Sequence, residues 1–293
     1  ACSMRCKHTC WADYLEDKNS FFGKIIFAYV IANCSVAMVV IFWSTSRLRR
    51  MLEATDHLVV SFLVEALSWA SRLDFLLLVS YYLYCYFSDP GYVPRPPAPL
   101  PLPAVQCGMC VEWKPPRAHH CSKCARCVFK MERHCYFINN CVGVRNVKAY
   151  ALFLCAFIFF IIIFMVSAPG GLTLLAGRDP ALLRSPLFLA QLSLCLALAL
   201  QACFFFPYVY ELLEETFQGI VQNRTAIERR QSRFGANIRR GRAVSKVFGD
   251  SIWLFLLPLF HSGRNNLLEA VYEQRLGADR EVPDLAEPER FSL

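Results

Sequence analysis

The sequence has 293 residues, 56% of them hydrophobic and only 18% charged, with a mean hydropathy of +0.35. Soluble domains carry about 25% charged residues, so composition argues against a water-soluble globule and for a membrane protein. The net charge of +8 reads as a basic cytosolic face beside anionic lipid headgroups. Nucleic acid is not expected as a partner, because the basic residues lie between apolar spans.

Residues 1–20 are polar and the first apolar run is too long for a signal-peptide core, so no cleavable leader is expected. Ile25 to Ser46 is uncharged over 22 residues, as are the runs Ala149 to Gly177 and Ser185 to Tyr210. At 1.5 Å per residue each crosses a hydrocarbon core of about 30 Å. His57 to Phe87 is apolar but holds Glu65, Arg72 and Asp74, which either reach an interface or pair with each other; a span ending near Phe87 is expected.

These runs give the domain reading: a cytosolic N-terminal segment (1–20), transmembrane helices 1 and 2 (21–87), a cytosolic cysteine-rich zinc domain (88–148), transmembrane helices 3 and 4 (149–210) and a cytosolic tail (211–293). The fold class is all-α and multi-pass, four transmembrane helices with a small zinc domain. Arg and Lys concentrate in 88–148 and in the tail, which puts both in the cytosol. Arg47, Arg49 and Arg50 lie on the opposite side and run against that rule. The sequon at Asn223, Arg224 and Thr225 is then expected to stay unmodified. Pro94 to Pro103 reads as an extended linker, Ser251 to Phe260 as an apolar segment too short to span, and 276–293 as a disordered end.

Fifteen cysteines are present, and their clustering matters more than their number. Between 107 and 141 stand Cys107, Cys110, Cys121, Cys124, Cys127, Cys135 and Cys141, with His119, His120 and His134. Pairs separated by two residues turn both sulfurs toward one ion, and Zn2+ takes four thiolate or imidazole ligands. Seven cysteines and three histidines can fill two such sites and leave one thiol free. A cytosolic segment does not keep disulfides, and it has few large apolar residues, so metal replaces the missing core.

The spacing C-x2-C-x9-H-C-x2-C-x2-C-x7-C-x5-C from Cys107 to Cys141 resembles the cysteine-rich domain of DHHC protein S-acyltransferases. Lys114-Pro115-Pro116-Arg117, Asn139-Asn140-Cys141-Val142-Gly143 and Asp89-Pro90-Gly91 are similar to family motifs. So are Thr225-Ala226-Ile227-Glu228 and Val247-Phe248-Gly249, and the likeness covers about residues 20–260. The resemblance implies two structural Zn2+ ions. One takes Cys107, Cys110, His120 and Cys127; the other takes Cys121, Cys124, His134 and Cys141. It implies Cys135 as the nucleophile toward palmitoyl-CoA or another long-chain acyl-CoA, and passage of the acyl group to substrate proteins with membrane-proximal cysteines. The acyl chain would lie between the helices, and the family suggests an endoplasmic reticulum or Golgi membrane.

The chain departs from the family at the residues that activate the cysteine. The family aspartate is replaced by Glu132, and its base histidine by Arg133. Arginine stays protonated and is no general base. The second Thr of the tail motif is Ala226, in a motif whose threonine is thought to hold the family's aspartate, and Ala243 stands where an Asn is usual. The sites proposed for catalysis are Cys135, Glu132 and Arg133, with the Arg133 charge favouring a thiolate. The alternative is a catalytically impaired relative acting as a membrane scaffold or regulator; an unrelated transporter or receptor is a third reading.

His119 is a conceivable substitute base, with an ordinary loop histidine as the plainer reading. Cys2, Cys6 and Cys10 recur every four residues on one helix stripe; metal binding with His8 and acylation near the membrane are alternatives to the plainer reading of reduced thiols. Cys34, Cys85, Cys155, Cys195 and Cys203 read as packing residues in the spans, and Phe204-Phe205-Phe206 as lipid-facing or core.

Overall fold

A computed structural model describes residues 21–54, 57–93, 105–111, 113–231, 244–245 and 247–249. The expectations for the N-terminal cysteines, the 94–103 linker, Ala243 and the segments after residue 250 fall outside these residues.

Four long helices carry the fold: α1 (Phe21–Glu53), α2 (Leu58–Phe87), α3 (Val147–Arg178) and α4 (Pro186–Gln222). A bilayer supplies no water to backbone N–H and C=O groups, so an apolar run of this length satisfies them internally as helix. Three of the four are long and apolar enough to cross a membrane, over Gly23–Glu53, Val147–Arg178 and Pro186–Gln222. α2 has spanning length at 30 residues but is not among these three, and it carries Glu65, Arg72 and Asp74. α1 and α3 overrun the uncharged runs at both ends and α4 at its C-terminal end, because a helix continues into polar residues at the interface.

The charges of α2 are used in packing rather than on each other. Glu65 pairs with Arg49 of α1 and accepts from Trp69 Nε1 at 2.8 Å. Arg72 lies over the rings of Trp69 (4.4 Å) and Phe42 (5.0 Å). Asp74 Oδ2 is buried with no hydrogen-bond partner among the described residues. At the end of α1, Arg49 is shared by Glu53 and Glu65, and Arg47 sits 5.3 Å from the Trp43 ring, while Arg50 is exposed.

α3 packs against α1, α2 and α4. Tyr82, Tyr150, Leu154, Leu172 and Leu175 are fully buried around it. Gly171 lets α1 close on α3, since a Cβ there would stand 3.2 Å from Ser44 Cβ.

The all-α expectation fails between α2 and α3. Six short strands form three antiparallel ribbons: β1 (Val105–Gln106) with β2 (Trp113–Lys114), β3 (Ala118–Cys121) with β4 (Arg126–Phe129), and β5 (Arg133–Cys135) with β6 (Asn140–Val142). Short cysteine knuckles favour tight turns over helix. Val111 and Ala125, each following the second cysteine of a pair, adopt φ of 58° and 49°.

Two sequence motifs fasten these ribbons to the helix ends. Asn140 Nδ2 donates to the carbonyls of Cys85 (2.9 Å) and Ser88 (2.8 Å), closing the end of α2. Tyr82 Oη donates to the Phe137 carbonyl at 2.9 Å. Asp89 Oδ1 accepts from the N–H groups of Gly91 and Tyr92, while its other oxygen pairs with Arg145. Gly143 is obligatory here, because a Cβ would lie 2.4 Å from the Pro90 carbonyl oxygen. The tail returns to the same junction: Lys148 Nζ donates to the Phe248 carbonyl at 3.1 Å, and the Phe248 ring stacks on Phe217.

Candidate functional site

Two groups of four ligand atoms gather among the described residues, Cys107, Cys110, His120 and Cys127 in one and Cys121, Cys124, His134 and Cys141 in the other. Within each group all ligand atoms lie within 4.8 Å of one another. A tetrahedral zinc with bonds of about 2.3 Å to sulfur and about 2.0 Å to nitrogen has ligand–ligand edges of about 3.5–3.8 Å. The second group matches closely: Cys124 to Cys141 3.4 Å, Cys124 to His134 Nδ1 3.4 Å, and Cys121 and Cys141 to His134 Nδ1 3.7 Å each. In the first, Cys110 stands 3.0 Å from His120 Nδ1 and 4.0 Å from Cys127. Three thiols and one imidazole per site is a structural-zinc donor set with no open position.

The ligands interleave in sequence, and this positions the remaining thiol. His134 in β5 and Cys141 in β6 are cross-strand partners on the same ion site, so metal staples this ribbon. Cys135 follows His134 in β5 and faces Asn140. Side chains alternate across a strand, so Cys135 points away from the metal. Its sulfur is buried, and the hydroxyl of Tyr150 in the first turn of α3 donates to it at 3.6 Å.

Cys135 opens onto an apolar cavity between the helices, lined also by Phe137, Phe153, Leu154, Phe205 and Leu212. A second cavity shares Asn33, Cys34, Phe157, Gln201 and Phe205 with it and runs on to Phe164 and Leu198. The passage from the sulfur is therefore apolar and lined by α1, α3 and α4. Phe205 lines it while Phe204 is exposed on the outer face, so the aromatic stretch divides between the two roles. Cys34, expected only to pack, lines it too.

Glu132 and Arg133 turn toward α4 and the segment after it. Glu132 is buried, and Oε2 accepts the Ala226 N–H at 2.8 Å. Burial pushes its carboxyl up to about 7, against the pull of that N–H and of Arg229 and Arg133. Gly219 of α4 makes room, since a Cβ there would meet Glu132 Oε1 at 2.9 Å. Arg133 pairs with Glu215 of α4. Burial works against its charge, but Glu215 more than offsets this and holds the guanidinium above its ordinary value. The charge of Arg133 is thus already matched.

The segment receiving Glu132 is itself braced. Thr225 caps the short helix α5 (Ala226–Arg230) in a reciprocal box with Glu228. Glu228 also takes Arg117 Nε at 2.6 Å and Nη2 at 2.9 Å, a two-pronged pair that ties the Lys-Pro-Pro-Arg motif to the tail. Burial raises the Glu228 carboxyl, but Arg117 and the Thr225 N–H lower it further, below its ordinary value. His119 lies on β3 opposite Val128; the polar side chain bonded to Cys135 is Tyr150 instead.

Tyr150, Glu215 and Arg117 were not singled out from sequence as parts of this site. Glu215 carried no signal of function, because it stands with Glu211 and Glu214 past the uncharged run that ends at Tyr210. Tyr150 carried none, since an aromatic residue opening an apolar run reads as packing.

Fold and site together define a protein with membrane-spanning helices and two zinc-type ligand clusters, in which a buried thiol faces an apolar cavity between the helices. The DHHC palmitoyltransferase family model matches residues 103–233. It is 30% identical over 169 residues to probable protein S-acyltransferase 13 of Arabidopsis thaliana, covering 56% of this chain and 55% of the relative. It is 28% identical over 228 residues to probable protein S-acyltransferase 12 of the same plant, covering 70% and 77%. Over 91 residues it is 44% identical to human palmitoyltransferase ZDHHC3, covering 28% and 30%. The chain thus spans about half the length of the first of these relatives.

Proposed function

We propose that the chain is a protein S-acyltransferase. Cys135 attacks the thioester of palmitoyl-CoA or another long-chain acyl-CoA, and the acyl-enzyme passes its chain to a membrane-proximal cysteine of a substrate protein. The carrying observation is the placement of the buried Cys135 sulfur at the mouth of the apolar cavity, where an acyl chain buried between the helices brings its thioester to the sulfur. In this reading the two zinc ions are structural, and α2 is the fourth span. The zinc domain and both termini face the cytosol, in an endoplasmic reticulum or Golgi membrane.

The altered motif sets the rate. Without a histidine base, the Cys135 proton passes to solvent and finally to the CoA sulfur. General-base assistance is worth about 10²–10⁴-fold, and its loss makes acylation slow. Glu132 and Arg133 hold β5 against α4 and the tail rather than exchange that proton. The test is two-stage labelling of purified protein in lipid nanodiscs with alkyne-tagged palmitoyl-CoA, followed by addition of a cysteine-containing, membrane-anchored peptide. Hydroxylamine-labile label should appear on the chain, then on the peptide, and neither on Cys135→Ser. Absence of label on the parent would support the scaffold reading instead.

A further inference from the structure

The Tyr150 hydroxyl contacts the reacting sulfur, yet no role in the reaction follows from the motif itself. Its ring is fully buried, packs 6.3 Å from Phe153 and lines the same cavity as Cys135. The hydroxyl lies 3.6 Å from Cys135 Sγ. That is long for a strong bond to sulfur, and it leaves the donor short of its best partner in the resting state.

Attack supplies the better partner. When Sγ bonds to the thioester carbon, the carbonyl oxygen sits one further bond from the sulfur, within the space the hydroxyl faces. A donor about 2.7–3.1 Å from the developing oxyanion is the arrangement that stabilises such an intermediate, and a hydroxyl positioned off Sγ meets it without a backbone shift. Burial removes competing water and strengthens the bond.

We propose that Tyr150 is the oxyanion donor of both half-reactions, an inference that rests on the acyltransferase reading above. In the first, the Sγ–C bond forms, the carbonyl electron pair moves onto oxygen facing the Tyr150 hydroxyl, and its return breaks the C–S bond to CoA. The proton lost by Cys135 ends on CoA, which leaves as the thiol. In the second, the acceptor sulfur attacks the same carbon, the oxygen again faces Tyr150, and Cys135 leaves and regains a proton from the acceptor. Tyr150 keeps its own proton throughout.

The test uses the full chain in nanodiscs, comparing the parent with Tyr150→Phe, which keeps the buried ring. Rapid-quench acylation by palmitoyl-CoA should slow by about 10²-fold, with KM changed less than about twofold, because the bond forms only as charge develops. In infrared spectra of an acyl-enzyme labelled with 13C at the carbonyl, the parent band should lie below that of the variant, the mark of a hydrogen-bonded thioester. Equal acylation rates, a loss confined to KM, or coincident bands would overturn the role of Tyr150 while an active parent leaves the acyltransferase reading standing. A parent that forms no acyl-enzyme overturns both. Should the variant lose its zinc and misfold, the parent band against a palmitoyl thioester in detergent decides: lower frequency supports the donor, and coincidence rejects it.

Discussion

At the residue scale, the two departures from the family motif have separate partners. Glu132 is one methylene longer than aspartate and accepts directly from the Ala226 N–H, at the position where the motif has lost its threonine hydroxyl. Length in one residue answers the missing group in the other. Glu132→Asp should therefore lower the acylation rate by about tenfold, the scale of losing one charge-assisted bond of about 1.5 kcal/mol. Ala226→Thr should return part of the loss in the Asp background and little in the parent; a double-mutant cycle on acylation rate measures this coupling. Arg133 is matched by Glu215, so Glu215→Gln leaves a largely buried guanidinium unpaired. That change should destabilise the protein by about 1–3 kcal/mol, below the full cost of breaking a deeply buried pair, read as a lowered melting temperature. The substitutions at 132 and 133 were legible in sequence; their partners were not, because they lie 94 and 82 residues away along the chain, where spacing carries no information.

At the scale of elements, the zinc ribbons and the tail form one unit through Arg117 and Glu228. Glu228 is nearly fully buried and Arg117 about one-fifth exposed. Arg117→Met strips the buried carboxylate of its partner and should cost about 3 kcal/mol. The pair also sets an acid response. The Glu228 carboxyl is held below its ordinary value of 4.5, so the folded chain binds fewer protons there than the unfolded chain. Its contribution is complete above that ordinary value and is lost as pH falls through the lower folded value. The melting-temperature gap between the parent and Glu228→Gln should hold from about pH 7 to pH 5 and narrow below pH 4; a gap independent of pH would mean that the pair is not charged. The cysteine spacing and the three strongly apolar spans could be read from sequence because metal geometry and bilayer thickness impose fixed periods. The strands could not, since pieces of two to four residues fall below any hydrophobic periodicity and are held by turns and metal. α2 stayed ambiguous because Arg49 reaches Glu65, and Phe42 reaches Arg72, only once α1 lies alongside.

At the scale of the whole molecule, the proposed site is assembled where three parts meet: the cysteine-rich ribbon, the helix ends and the returning tail. Asn140 pins the ribbon to α2, Glu132 pins it to the segment after α4, and Lys148 holds Phe248 of the tail. Metal is therefore a structural condition for the site. The purified chain should carry two zinc ions, and Cys124→Ser should lower that content, expose Cys135 to alkylation and abolish acylation; metal analysis and thiol labelling read both. The central claim is that Cys135, beside arginine rather than histidine, accepts an acyl chain from the cavity. Its most direct test is intact-protein mass spectrometry of the unaltered chain after palmitoyl-CoA, with peptide mapping of the adduct and Arg133→His run alongside. The account predicts one palmitoyl adduct on Cys135, formed slowly in the parent and faster with histidine. An unmodified parent, or an adduct on another cysteine that persists in Cys135→Ser, would contradict it.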